Sequence, residues 1–141
     1  MRLTINALLS VSAAVLLACP SPMTLLPLGA QDSNAARIYV IDDMSGIYGA
    51  LPYNVLIDGR KVCTLAGEQF SVVDLEPGRH RVLLEGNATA QDFDLPAGTV
   101  TYLRLDITKL REDAKLSSMD AAAAQKAMAA STLVETLLPG R

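Results

Sequence analysis

Short runs of alternating apolar and other residues, separated by glycine and proline, fill residues 37–107 of the chain. In the clearest run, apolar side chains recur at Tyr53, Val55 and Ile57, and the pair Asp58-Gly59 follows. An Asp-Gly pair readily adopts the positive φ angles that a tight hairpin turn requires. This stretch therefore predicts a β-hairpin whose return strand begins at Lys61.

The same pattern continues on both sides of the hairpin and predicts about seven short strands. Glycine and proline fall between these runs and stay out of their interiors, as expected for turns. No helical segment separates the strands, so the pattern predicts a mainly β protein, an antiparallel β-sandwich over residues 37–110. The predicted strands are Arg37–Ile41, Tyr53–Ile57, Lys61–Leu65, Gln69–Leu75, His80–Glu85, Thr89–Leu95 and Thr99–Ile107.

An alanine-rich segment after the sandwich predicts a C-terminal helix over residues 117–138. Ser117 or Ser118 can cap its first amides, and Asp120 suits the positive end of the helix dipole. Packing against the sandwich is favoured over binding a partner, because one face is apolar. The residues of that face are Ala127, Ala130, Val134 and Leu137, with Met128 beside them.

The N-terminus has the features of an export signal. Arg2 precedes an apolar run, Ala7–Ala18, that is shorter than the roughly 20 residues needed to span a bilayer. The run ends in Leu16-Leu17-Ala18-Cys19, which resembles the lipobox of bacterial lipoproteins. That resemblance implies a signal peptide over residues 1–18, acylation of Cys19, and a lipid anchor in the membrane. The residue after Cys19 is Pro20 and not aspartate, and in this respect the chain resembles lipoproteins that are sorted to the outer membrane.

An ordinary signal peptidase site remains an alternative. Cleavage after Ala30 would release a soluble protein, although Leu28 then occupies a position where a small residue is preferred. If Cys19 is the first residue, residues 19–36 form a tether rich in Pro, Ser, Gly and Asn. As a flexible coil it would average about 20 to 25 Å, and fully extended it would reach about 55 Å.

Composition narrows the classes of partner and chemistry. The chain has 12 Lys+Arg against 15 Asp+Glu, a net charge of −3, and no basic block, which argues against a nucleic-acid partner. The two cysteines, Cys19 and Cys63, could pair in an oxidising compartment, but the lipobox assigns Cys19 to an acyl group.

No candidate for catalysis or metal binding has the neighbours that its chemistry needs, so we expect no catalytic site, cofactor or metal. His80, the single histidine, is interpreted as a structural residue at the start of a strand. Asp42-Asp43 lacks the spacing of a calcium loop and is interpreted as solvated loop charge. Cys63 is expected to be a buried small apolar residue, and Ser71 and Asp74 lack a nucleophile-elbow context. Tyr39, Tyr53 and Tyr102 lie in strands, where packing is expected.

Two segments also show a family resemblance. Leu51–Val62 and Leu75–Val82, with Phe70 between them, resemble PEGA repeats and the related domain-of-unknown-function family 2846 of bacterial lipoproteins. The resemblance covers about half of the chain and implies a prealbumin-like β-sandwich with no transferable catalytic residues. Cys63 stands where these families usually place glycine.

These observations together predict a non-enzymatic lipoprotein of the bacterial cell envelope. The β-sandwich would be a binding or structural module of unknown ligand, held at the outer membrane and facing the periplasm through acylated Cys19. Its expected partners are membrane lipid and an envelope protein or glycan. The alternative is a soluble secreted or periplasmic accessory module cleaved after Ala30. A hydrolase is disfavoured, because the polar constellation of an active site is missing.

Overall fold

The computed structural model describes residues 33–47, 49–87, 90–107 and 113–136, which form a two-sheet β-sandwich with one helix. The mainly β prediction is confirmed, and the seven predicted strands are all present. The elements are β1 Ala36–Asp42, β2 Tyr53–Ile57, β3 Arg60–Leu65, β4 Gln69–Leu75, β5 Gly78–Leu84, β6 Gln91–Leu95, β7 Val100–Asp106, β8 Lys115–Ser118, α1 Ala121–Ala129 and β9 Thr132–Leu133.

The strands divide into a five-stranded and a four-stranded sheet. The first has the order β8-β7-β1-β4-β9 and the second the order β3-β2-β5-β6. The four-stranded sheet is antiparallel throughout. In the five-stranded sheet, β1 pairs with β7 in parallel and β4 pairs with β9 in parallel, so this sheet is mixed, and the predicted antiparallel pairing does not extend to these two strand pairs.

The predicted hairpin has the turn that its sequence requires. Asp58 and Gly59 adopt positive φ angles of 51° and 78°. A two-residue hairpin turn needs such angles, because they match the twist of the flanking strands. Val55 lies opposite Cys63, but Leu56 lies opposite Lys61. The extra residue is a β-bulge, and it lets both Val62 and Cys63 face the core.

Strand directions give the sandwich two distinct ends. The chain enters at residues 34–35, where Gly98 donates a backbone hydrogen bond to the carbonyl of Ala35 at 2.9 Å. We call this the proximal end, and the turns at 58–59, 76–77 and 96–98 lie there. Strand β1 leads from it to the distal end, which comprises the loop after β1, the turns at 66–68 and 85–87, and residues 107 and 113–114.

The main core lies between the two sheets. Alternate residues of the facing strands are buried there, which explains the period of two seen in the sequence. Burial of this apolar surface is the principal stabilising contribution to the sandwich. The buried core side chains include Ile38 and Val40 of β1, Val55 and Ile57 of β2, Val82 and Leu84 of β5, and Leu103 and Leu105 of β7.

A second, smaller core lies on the outer face of the five-stranded sheet, under helix α1. Tyr39 and Tyr102 stack there with ring centroids 5.1 Å apart, and Ala124 of the helix is fully buried against this layer. All seven residues of β1 are therefore buried, because both faces of this strand are covered. The expectation that the helix packs against the sandwich is confirmed.

The helix is shorter than the predicted range of 117–138. Asp120 is its N-cap and accepts a hydrogen bond from the amide of Ala123, whereas Ser117 and Ser118 belong to strand β8. After Ala129, Ser131 donates its hydroxyl to the carbonyl of Ala127 and the chain turns into β9. The backbone groups at the open edge of β4 would have no strand partner if the helix continued. Pairing of β9 with β4 satisfies them, and this outweighs the helix propensity of the segment.

The residues after the helix also occupy positions different from those predicted. Val134 packs against the core between the sheets, and Leu137 lies outside the described residues. The amide of Val134 donates to the carbonyl of Phe70 at 2.8 Å, and the hydroxyl of Thr136 donates to that of Val72 at 2.6 Å. This segment therefore runs along the edge of β4.

The predicted signal peptide over residues 1–18, the lipidation site Cys19, most of the tether over residues 19–36 and the alternative cleavage site after Ala30 lie outside the described residues. Within the described residues, no helix has the length and apolar composition needed to cross a membrane.

Candidate functional site

At the proximal end, His80 joins two turns that are distant in sequence. Its Nδ1 lies 2.7 Å from Oδ2 of Asp58, in the β2–β3 turn, and its Nε2 lies 2.7 Å from the backbone carbonyl of Glu76, in the β4–β5 turn. The other carboxylate oxygen of Asp58 accepts the amide of Arg81 at 2.9 Å. His80 therefore has the structural position expected for it, at the start of β5.

Both ring nitrogens of His80 face oxygen atoms that accept hydrogen bonds. Neutral imidazole has only one N–H, so the protonated ring is the form that satisfies both contacts. Partial burial of the ring opposes this charge, but the hydrogen bonds to Asp58 and to Glu76 outweigh it and raise the pKa of His80. The amide of Arg81 and the imidazole together lower the pKa of Asp58.

The neighbouring outer face of the four-stranded sheet carries a solvated charge network. Asp92 of β6 accepts hydrogen bonds from Arg79 at 3.0 Å and from Arg81 at 2.8 Å. The two guanidinium groups lower the pKa of Asp92 to about 2. Exposed pairs of this kind stabilise a protein little, so the network chiefly gives this face its polar character.

At the distal end, a buried carboxylate organises the loop after β1. Asp42 is fully buried; its Oδ1 accepts the amide of Met44 at 3.1 Å and its Oδ2 that of Gly67 at 2.9 Å. Desolvation raises the pKa of Asp42. The interpretation of Asp42-Asp43 as solvated loop charge was wrong for Asp42, because two backbone donors take the place of water around it. Asp43 pairs with Arg104 at 2.9 Å.

Two glycines allow this loop to close tightly. A Cβ atom on Gly49 would lie 2.2 Å from the carbonyl oxygen of Met44, and one on Gly67 would lie 2.7 Å from that of Gly49. Neither distance is compatible with a side chain. Together with Asp42, these backbone contacts join the loop after β1 to the β3–β4 turn in one arrangement.

A cavity of about 370 Å³ opens beside this loop. Arg104 at its wall is already engaged by Asp43 and lies 3.7 Å from Asp106. Lys115 makes no ion pair with any described residue. The mixture of charges and apolar surface suits a small polar group or a side chain of a partner more than a large apolar ligand. Its lining residues are Met44, Arg104, Leu105, Asp106, Ile107 and Lys115.

Cys63 and Ser71, the two nucleophile candidates considered from the sequence, are both buried. Cys63 is fully buried, and desolvation raises the pKa of its thiol to about 11, as expected of a small core residue. The hydroxyl of Ser71 donates to the carbonyl of Val134 at 3.3 Å, and its oxygen lies 2.9 Å from the hydroxyl oxygen of Thr136. The two ring nitrogens of His80 contact Asp58 and Glu76, and not the thiol of Cys63 or the hydroxyl of Ser71.

The other residues singled out in the sequence have packing or pairing roles. Asp74 holds Arg37 through two hydrogen bonds of 2.6 and 2.8 Å, and Arg37 is buried on the outer face of β1. Tyr53 is buried in the main core, as expected. No cluster of three or more metal-ligating side chains occurs in the described part of the chain.

Comparison with known proteins gives one family match. The model of the family DUF2846, which is described as a protein of unknown function, matches residues 32–118, more than half of the chain. This match confirms the resemblance to family 2846. No curated protein matches the chain.

Proposed function

The chain belongs to the DUF2846 family of proteins of unknown function, and from that premise we propose that it is a non-enzymatic lipoprotein of the bacterial cell envelope. Acyl chains on Cys19 would anchor it in the outer membrane, and the β-sandwich would act in the periplasm as a binding or structural module. The observation that carries this proposal is the motif Leu16-Leu17-Ala18-Cys19 after an apolar run too short to span a bilayer.

The arrangement of reactive groups supports a non-catalytic role. A hydrolytic site needs a nucleophile within hydrogen-bond reach of a base. Here the hydroxyl of Ser71 is buried and engaged with the segment after β9, and the thiol of Cys63 is buried with a raised pKa. The imidazole of His80 is engaged through both nitrogens, by the carboxylate of Asp58 and the carbonyl of Glu76. These groups are committed to holding the sandwich together.

Tethering would be the physical basis of the function. Two or three acyl chains, at about 0.8 kcal/mol per buried CH₂, hold a protein stably at a membrane without a spanning helix. Confinement within reach of the tether raises the effective concentration of a weak binder near its target. An envelope protein or glycan within that reach is the class of partner that we propose.

Intact-mass measurement of the native mature protein tests the anchor. We expect the wild type to start at Cys19 with added acyl mass and to fractionate with membranes, and Cys19→Ala to lose both properties. Cys63→Ala is the matched control, since it removes the other cysteine and should leave the acyl mass unchanged. A mature chain that starts at Gln31 without lipid would instead establish the soluble alternative, cleaved after Ala30.

A further inference from the structure

A short segment near the C-terminus completes the side of the sandwich on which β4 lies. It comprises β9 and the residues that follow it, residues 132–136, and we call it the C-terminal strap. The strap runs parallel to β4, and the amides of Thr132 and Val134 donate to the carbonyls of Glu68 and Phe70 at 2.8 Å each. Its backbone therefore occupies the edge of β4 in the way that an added strand does.

Alternate side chains of the C-terminal strap fit this edge. Val134 is half-buried and packs against the core between the sheets. The hydroxyl of Thr136 donates to the carbonyl of Val72 at 2.6 Å, and its oxygen lies 2.9 Å from the hydroxyl oxygen of Ser71. Ser71 is fully buried and also donates to the carbonyl of Val134. The edge of β4 thus accepts an extended segment in which an apolar residue is followed two positions later by a hydroxyl group.

The C-terminal strap and α1 are attached to the sandwich separately. The link between them is Ala130 and Ser131, and it is fastened to the helix: the amide and hydroxyl of Ser131 donate to the carbonyls of Met128 and Ala127 at 3.1 and 2.8 Å. The helix has its own attachment, because Ala124 is fully buried against the outer face of the sheet. The strap can therefore leave β4 while α1 stays in place, and opening of short terminal elements is among the least costly local unfolding events.

A second copy of this chain is the occupant whose fit to the edge of β4 the structure itself shows. When the strap leaves, the backbone groups of this edge and the buried hydroxyl of Ser71 need a replacement, and open edges of this kind recruit another strand. Another copy carries the same residues 132–136, so its strap restores the same contacts without any new surface. A short hinge favours such an exchange, because it restricts how the strap can return to its own edge. The strap also lies beyond residue 118, where the family match ends, and is an addition to the matched domain.

We propose that the C-terminal strap is an exchangeable strand: two copies of the chain pair by placing the strap of each on β4 of the other, with the hinge at Ala130 and Ser131. The pair is two-fold symmetric, since each copy gives one strap and receives one. This proposal goes beyond the proposed function and does not depend on the acyl anchor. Confinement on a membrane would favour the exchange by raising the local concentration of copies.

Disulfide trapping between two differently tagged copies tests the exchange. Gln69 of β4 lies opposite Thr132 of the strap, so one full-length copy carries Gln69→Cys and the other carries Thr132→Cys. The two copies are coexpressed, purified together and oxidised with copper phenanthroline. Mass spectrometry of the linked peptides separates the product from links through Cys19 or Cys63. We expect a disulfide-linked dimer that carries both tags, because the strap of one copy lies on β4 of the other.

Two controls accompany this pair. Arg79→Cys and Asp94→Cys are also opposite each other, in β5 and β6, and are divided between two copies in the same way. We expect no mixed dimer from them, since these strands do not exchange. Gln69→Cys and Thr132→Cys placed in one chain should give an internal disulfide, which shows that the register of β4 and the strap accommodates the bond.

Variants of the strap and of its link complete the test. Val134→Asp added to the Thr132→Cys copy should lower the yield of mixed dimer about tenfold, because the strap of the receiving copy then competes better for its own edge. Deletion of Ala130 and Ser131 makes β9 follow α1 directly, so the strap cannot turn back onto its own β4. We expect this deletion variant to elute as a dimer, with its mass measured by light scattering, and to become a monomer when Val134→Asp is added.

Several outcomes would overturn the proposal. An internal disulfide in the double variant without a mixed dimer from the divided pair would show that the strap stays on its own copy. Equal yields of mixed dimer from the Arg79 and Asp94 pair would show mere proximity of the copies. A disulfide between the Gln69→Cys copy and a different protein would identify a foreign strand as the occupant of this edge. A monomeric deletion variant would also refute the exchange.

Discussion

The contact between His80 and Asp58 predicts a specific coupling between pH and stability. The variants Asp58→Asn and His80→Gln each remove one charge of the pair. Asparagine keeps an oxygen for the amide of Arg81 and tolerates the φ of 51° at this turn. The two variants and their combination form a double-mutant cycle that isolates the interaction from the rest of the turn.

The expected size follows from burial. Hydrogen bonds to charged groups contribute about 1.5–3 kcal/mol when they are shielded from water. The side chain of His80 is 14% exposed but that of Asp58 is 50% exposed, so solvent screens the pair. We therefore expect a coupling free energy of about 1 kcal/mol at a pH where Asp58 and His80 are both charged.

The sign of the pH dependence follows from the two pKa shifts. The pKa of folded His80 is raised above 6.5, so its contribution is fully present below pH 6.5 and is lost as the pH rises through the folded pKa. The pKa of Asp58 is lowered, so its contribution is present above pH 3.8 and is lost as the pH falls through its folded pKa. The coupling should be largest between pH 4 and 6.5.

Urea denaturation of the four proteins at pH 5.5 and pH 8.5 measures the coupling. His80 is the only histidine of the chain, so its titration by NMR needs no assignment among several rings. A coupling free energy equal at the two pH values, or a folded pKa of 6.5 or below, would refute the assignment of a protonated ring held between two acceptors.

Three further predictions concern the rest of the sandwich. Gly49→Ala should lower the free energy of unfolding, measured with urea, by about 3 kcal/mol, because the new methyl group meets a backbone oxygen at 2.2 Å. Gly46→Ala is the control: its Cβ meets open space at a φ of 87°, so it should cost only about 1 kcal/mol. Equal costs for the two variants would contradict the close approach at Gly49. Asp74→Asn should cost about 3 kcal/mol, because it leaves the buried guanidinium of Arg37 without its counter-charge; a loss under 1 kcal/mol would place this pair among the weak surface pairs. The thiol of Cys63 should react with iodoacetamide at pH 8 only after unfolding, since burial raises its pKa to about 11, and fast labelling of the folded protein would contradict that burial.

Local sequence signals predicted the sandwich strands well where one pattern dominated. The hairpin followed from alternation and from Asp58-Gly59, whose positive φ angles the structure confirms. Burial of Cys63 and Tyr53 followed from their place in strands. These features depend on residues close to one another in the chain, so they can be recognised from one amino-acid sequence.

Features that depend on distant residues were not predictable in this way. Asp42 has the pattern of a loop charge, and only the fold brings the amide of Gly67, 25 positions later, to its carboxylate. The helix prediction extended to residue 138 because alanine favours helices, whereas the available edge of β4 makes a strand of Thr132 and Leu133. Likewise, the contact of His80 with Asp58 spans 22 positions.

The segment that contains α1 and β9 has a consequence for how the chain can be shortened. The family match ends at residue 118, yet Ala124 covers the aromatic layer of the outer face and β9 pairs with β4. A fragment cut after residue 118 would leave Phe70 and its neighbours in water and the hydrogen-bonding groups of β4 open. Unprotected strand edges beside apolar surface recruit other chains and aggregate. Residues 119–136 therefore protect this face and edge of the sheet from association with other chains, and a fragment meant to stay in solution should extend to residue 136.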